Sequence, residues 1–313
     1  DGGDDMKLNG YDGAGISAQG NLNIGVTGTN TVTADALQSA IEVEDGNLAI
    51  TGEGTLNATA EPQKSRSAVK VECGSLAISG DVTLNATAGT DTIAVSGDGK
   101  TGGDVDIRGA NVNVTATNKA PHTIGIHTRA GNITINEGAD VHVEAEANGG
   151  LNAVAVYAEN ISSEHGGCIA VDNAKLDAAA RNGCSVSVAL YSSGGKDTYL
   201  SVTNGADVTL VASDRADVLD GVWMRAGDGV SRVLVENSSL TARCGDGTGH
   251  SRKHGYGIYS QSGSQSAIPR IDIINSNVEV SGNAAAIYAV NQGDAAPCLS
   301  IDGGSVVTTP AGG

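Results

Sequence analysis

Five aromatic side chains, Tyr157, Tyr191, Trp223, Tyr259 and Tyr288, recur about every thirty residues in a chain of 313 that has only seven Tyr, one Trp and no Phe. Each follows an apolar residue (Val156, Leu190, Val222, Ile258, Ile287), and His127 takes the same place one interval earlier, after Ile126. Two positions further along stand Arg129, Glu159, Ser193, Arg225 and Gln261. If residues thirty apart lie over one another, these form one aromatic stripe flanked by charged and amide groups. Such a stripe can hold a saccharide, ring faces meeting the C–H side of a sugar and polar groups meeting its hydroxyls. The competing reading is a ladder that only stiffens the fold, because aromatic and β-branched side chains favour sheets for packing reasons alone.

A second group combines Asp140, His142 and Glu144 with Lys175, Asp177 and Asp207. Stacked, they bring carboxylates, an imidazole and an ammonium together, as acid–base attack on a polysaccharide needs. The same residues also describe a cross-coil charge ladder on a solvated surface. The acidic loop Asp98-Gly99-Lys100-Thr101-Gly102-Gly103-Asp104 and the set Asp214, Asp217 and Asp220 offer oxygen ligands for calcium, without the fixed spacing of a dedicated calcium loop. The five Cys and six His have no zinc-ligand spacing, and Cys168 and Cys298 fall four coils apart, too far to bridge. No cofactor is expected, calcium being the only weak exception.

Positioning these groups requires a repeating scaffold. Ten copies of an apolar-x-apolar strand begin at Leu22, Leu48, Leu76, Val105, Ile133, Ile169, Leu200, Val233, Ile271 and Leu299, spaced 26 to 38 residues apart. A Gly-, Asn- or Asp-rich corner then leads to a further anchor: Val32, Leu56, Leu84, Val112, Val141, Leu176, Val208, Leu240, Val278 or Val306. Before each copy comes a strand anchored by Ile16, Ile41, Val69, Val95, Ile126, Val156, Leu190, Val222, Ile258 or Ile287. A period near thirty with three strand types predicts an all-β solenoid, a single-stranded right-handed parallel β-helix of about ten coils with three short strands each. Residues 1–14 read as a polar N-terminal lead-in or cap and 15–313 as the β-helix. At roughly 4.8 Å per coil the rod is about 45 to 50 Å long. After the last strand the core lies open, which predicts end-to-end self-association or missing flanking domains. Connections after the first strand lengthen in the aromatic coils and are expected to wall the stripe. In the early coils Thr55, Asn57, Thr59, Thr83, Asn85, Thr87, Asn111, Asn113 and Thr115 form a polar patch, read as inert surface or as an array of the ice-binding kind.

Thirty-six acidic against 18 basic residues give a charge of −18, which repels a phosphate backbone and argues against nucleic acid as partner. No apolar run approaches a transmembrane length.

The run Ser39-Ala40-Ile41-Glu42-Val43-Glu44-Asp45-Gly46-Asn47-Leu48-Ala49-Ile50-Thr51-Gly52-Glu53-Gly54-Thr55-Leu56, and that from Ala68-Val69 to Leu84, resemble the repeat of secreted bacterial β-helix proteins described as carbohydrate-binding. The resemblance implies an extracellular polysaccharide-binding protein, in some members with calcium. The resulting expectation is a secreted or cell-surface, non-catalytic β-helix that binds a linear glycan along Tyr157, Tyr191, Trp223, Tyr259 and Tyr288. The neighbours His127, Arg129, Glu159, Arg225 and Gln261 assist. The alternatives are a lyase or glycosidase of β-helix type acting at Asp140, His142, Glu144, Lys175 and Asp177, and a passive adhesin or stalk segment.

Overall fold

A computed structural model describes the chain except residues 1–5, 10–13, 35–37, 62–65, 98–102, 119–120, 161–166, 214–215, 246–253, 266, 294–295 and 311–313. The described residues contain no helix, and their strands pair in parallel, each with its counterpart one coil away. The first strands of the coils, from Ile16–Ala18 through Asn152–Asn160, Val186–Gly194, Val218–Ala226 and His254–Ser262 to Ala285–Asn291, form a ten-stranded sheet in sequence order. The second and third strands join in a 19-stranded sheet, because Arg270–Gly282 and Cys298–Pro310 each run unbroken through the corner between them. The stacked coils form a β-solenoid of about eight turns, slightly fewer than the ten coils expected.

Alternation sends one side of every strand inward. Ile41, Leu48, Ile50, Leu76, Ile126, Ile133, Val156, Val222 and Ile258 are completely buried in one continuous core. Each such side chain contributes about 1.5–3 kcal/mol by leaving water, and a carboxylate there would break its coil. The second strands stack in the expected register throughout, from Leu22 over Leu48 to Ile271 over Leu299. Leu299 and Ile301, aligned with buried Ile271 and Ile273, are each 51 % exposed because no strand among the described residues covers them.

Two corners shape the coil. Between second and third strands, Glu137, Asn173, Asn204, Asn237 and Asn275 all adopt left-handed backbone, with φ from 46° to 57°. Asn tolerates this conformation, and it turns the chain without a long loop. The other corner lies just before the first-strand anchors, where a column of small residues, Ala40 and Ala68 ahead of their strands and Gly125, Ala155, Ala189, Gly221 and Gly257 within theirs, is buried. A Cβ on Gly257 would lie 2.2 Å from Val280 Cγ1 and 2.8 Å from Ala286 O, so the backbone there presses on the neighbouring wall.

Two registers differ from expectation. In the fourth coil the anchor over Val69 is Ile93, not Val95, so Ala94 rather than Ser96 lies over Lys70 and under His127. In the first coil Val32 lies against Ala58, and Asn30 against Leu56. Both shifts are two residues, the one error that alternation cannot detect because it leaves the same faces inward. Part of the polar lead-in, Met6–Asn9, is itself a strand paired with Thr29–Thr33. The Thr/Asn patch is in register, and its Asn57, Asn85 and Asn113 side-chain amides bond one to the next at 2.8 and 2.9 Å.

Candidate functional site

The aromatic residues fall in one column on the outward wall of the first-strand sheet. His127 pairs with Tyr157, Tyr157 with Tyr191, Tyr191 with Trp223, Trp223 with Tyr259, and Tyr259 with Tyr288. Ring centroids are 4.7, 4.6, 4.8, 5.9 and 5.7 Å apart in that order, with interplanar angles from 6° to 33°. The rings therefore stack on one another along the rod axis. Their faces are spent on each other, and only edges and hydroxyls remain for a ligand; the expected face-to-sugar arrangement does not occur between neighbouring rings. Tyr157, Tyr191, Trp223 and Tyr259 are half-buried, while Tyr288 at the end is 41 % exposed.

Tyr256 joins this stack although alternation from Ile258 would turn it inward. It lies 4.8 Å from Tyr288 at 11° and 5.2 Å from Tyr259. The bend at Gly257 explains the outward turn, because the Gly/Ala corner interrupts alternation at that residue.

The polar partners expected beside the stripe are in place. Glu159 and Ser193 are register partners, as are Ser193 and Arg225, and Arg225 and Gln261. Tyr157 Oη and Ser193 Oγ are 3.1 Å apart, and Tyr259 Oη donates to Gln261 Oε1 at 3.2 Å. Burial raises the pKa values of Tyr157 and Tyr191, and pushes that of Tyr259 up to about 12, so these hydroxyls stay protonated as donors. Tyr157, Glu159, Asn160, Tyr191, Ser193 and Arg225 line a hollow of about 280 Å³, together with Gly194 and Gly227.

A second hollow, about 250 Å³, lies on the same wall over the preceding coils. Lys70, Glu72, Thr90, Asp91, His127 and Arg129 are among its lining residues. Lys70 bridges Glu42 at 2.9 Å and Glu72 at 2.5 Å. His127, only 4 % exposed, has Nδ1 3.3 Å from Asp91 Oδ2 and Nε2 3.5 Å from Glu159 Oε2. Burial alone would lower its pKa, but the Asp91 and Glu159 carboxylates, one at each ring nitrogen, overcome burial and hold it above the ordinary imidazole value. The same pairing with His127 holds the Glu159 carboxyl below its ordinary value against burial. Asp91 was not anticipated; it sits beyond the corner at the start of its strand, level with Ile124, where spacing from the anchors carries no information.

The acid–base group lies on the wall made by the third strands. Asp140, Lys175 and Asp207 are in register, and His142 faces Asp177. Lys175 pairs with Asp177 at 3.0 Å and Asp140 at 3.8 Å, and His142 with Glu144 at 3.6 Å, all with side chains 34 to 54 % exposed. Its pairing with Asp177 raises the Lys175 pKa, so the amine stays charged rather than serving as a base. This is the arrangement of a solvated charge ladder.

Of the calcium candidates, Asp98–Gly102 and Asp214 lie outside the described residues, and buried Asp220 Oδ1 accepts the Tyr256 backbone N–H at 2.9 Å. Among the described residues no cluster of three metal-ligating side chains occurs. No described helix is long and apolar enough to cross a membrane. Comparison with protein-family models, with curated proteins and with solved structures found no match, so the likeness to carbohydrate-binding β-helix proteins rests on repeat style alone.

Proposed function

We propose that this chain is a secreted or cell-surface, non-catalytic β-helix that binds a linear glycan along the outward wall of its first-strand sheet. The observation that carries the reading is the alignment on that wall of two hollows, about 250 and 280 Å³, with a stacked aromatic column. An extended chain of sugars fits a line of hollows along a solenoid, where one coil advances about 4.8 Å, close to the length of one sugar ring. Recognition in this reading is by hydrogen bonding. The tyrosine hydroxyls, Ser193, Asn160, Glu159 and Arg225 supply donors and acceptors, and ring edges supply apolar contact. The stack's part is to hold those groups in fixed positions, so that little side-chain entropy is lost on binding.

Nothing in this reading calls for a catalytic group or a cofactor. The exposed apolar side chains of Leu299 and Ile301, in register with buried Ile271 and Ile273, support contact with a second copy as part of the same reading. Affinity electrophoresis against xylan, β-1,4-mannan, β-1,3-glucan and polygalacturonate tests it. At least one polymer is expected to retard wild type, and the double variant Glu159→Gln with Arg225→Ala to abolish the retardation. Retardation unchanged in that variant, or sugar release from any of the four polymers, contradicts it.

A further inference from the structure

His127 occupies a place unlike any other histidine described. It is buried, it forms the first ring of the aromatic stack, and a carboxylate stands at each of its nitrogens. It also marks the boundary between the two hollows: His127 lines the lower one, and its partner Glu159 lines the upper one. The charged and titratable groups facing it come from three coils. Arg129 follows its own strand, the strand below supplies Asp91, and the strand above supplies Tyr157 and Glu159. Arg66, Lys70 and Glu72 complete the lower hollow.

An imidazolium has two N–H groups, whereas neutral imidazole has one; Nδ1 is within hydrogen-bond reach of Asp91, and Nε2 meets Glu159 as an ion pair at 3.5 Å, outside hydrogen-bond geometry. Deprotonation therefore leaves one carboxylate facing a lone pair. Tilting the ring to compensate is opposed by its stacking, because it lies flat against Tyr157 at 4.7 Å and 6°. Asp91 holds the hydrogen bond to Nδ1, whereas Glu159 is held to Nε2 by charge alone, so Glu159 is the group that loses its attraction.

We propose that His127 is a pH-sensitive positioning residue: its imidazolium fixes the Glu159 carboxylate at the junction of the two hollows, and loss of the proton releases that carboxylate. The proposal deepens the glycan reading, since Glu159 lines the hollow assigned to sugar hydroxyls, but its first test needs no ligand.

NMR of the intact chain, following the His127 ring and the Glu159 side-chain carboxyl carbon from about pH 5 to about pH 9, provides that test. Both signals are expected to move together, with one midpoint above the imidazole's ordinary value of about 6.5. His127→Gln should flatten the Glu159 signal over this range. Glu159→Gln, which keeps the ring and its stacking, should lower the His127 midpoint, and it serves equally if the first variant does not fold. A Glu159 signal indifferent to His127 ionisation overturns the proposal. In a second arm, xylan and β-1,3-glucan are titrated at about pH 6 and about pH 9, with roughly tenfold weaker binding expected at the higher pH, the equivalent of one charge-assisted contact. Loss of that dependence in His127→Gln supports the proposal, and its persistence counts against it. If neither polymer binds at either pH, the glycan reading fails while the carboxyl titration still decides the role of His127.

Discussion

Two walls of the same rod carry nearly the same chemical groups and use them differently. On the first-strand wall an imidazole, two carboxylates and a guanidinium gather around His127, which is 4 % exposed and covered by a tyrosine ring. On the third-strand wall His142, Asp140, Glu144, Lys175 and Asp177 are each about one-third to one-half exposed, with no ring above them. Water screens the second set, and exposed pairs of that kind contribute little. Burial makes each contact in the first set matter, because an uncompensated charge there has no solvent to turn to. Residue type alone therefore does not mark a site. The aromatic stack marks it here by excluding water from one face of the charged cluster and leaving hollows on the other.

The contrast can be broken most strongly at the stack. Trp223→Ala removes the central ring between Tyr191 and Tyr259, and should cost about 2–3 kcal/mol of stability, below the full-burial value because the indole is half-buried. Chemical denaturation measures it, and near-UV circular dichroism should lose the signal of the stacked tyrosines. His127→Gln should come next, at about 2 kcal/mol, because it leaves Asp91 and Glu159 without their shared cation.

A pH dependence sharpens the same comparison. The folded-state pKa of His127 is raised, so its pairing contributes fully below the ordinary value of about 6.5 and is lost as pH rises through the raised value. That of Glu159 is lowered, so its contribution is present above the ordinary value of about 4.3 and is lost as pH falls through the lowered one. The melting temperature should therefore fall from about pH 6 to about pH 9 in wild type by more than in His127→Gln. The smallest effect belongs to the other wall. Lys175→Ala should leave the melting temperature unchanged within error, and a clear drop there would show that the exposed ladder is structural after all.

The column from Tyr157 to Tyr288 was legible because each ring follows its own inward-facing anchor, and these anchors stack directly on one another. The slip in the fourth coil arose because Ile93 and Val95 are both apolar and on the same face, so only the neighbouring coil distinguishes them. Ring orientation was not legible at all. Spacing says that rings share a wall, but the torsions that turn them face to face depend on contact between coils. Burial of His127 and the part played by Asp91 were hidden for a related reason: the corner brings Asp91 to the ring from a strand whose phase there is broken.

Trp223 is the chain's single tryptophan and sits inside the proposed trough wall, stacked between Tyr191 and Tyr259. Titrating xylan, β-1,4-mannan, β-1,3-glucan and polygalacturonate while following its emission is thus the most direct test of glycan binding on this wall. A saturable change with at least one polymer, absent when Glu159→Gln and Arg225→Ala are combined, is the predicted result; emission that stays constant while a polymer demonstrably binds would place the binding elsewhere and contradict the account.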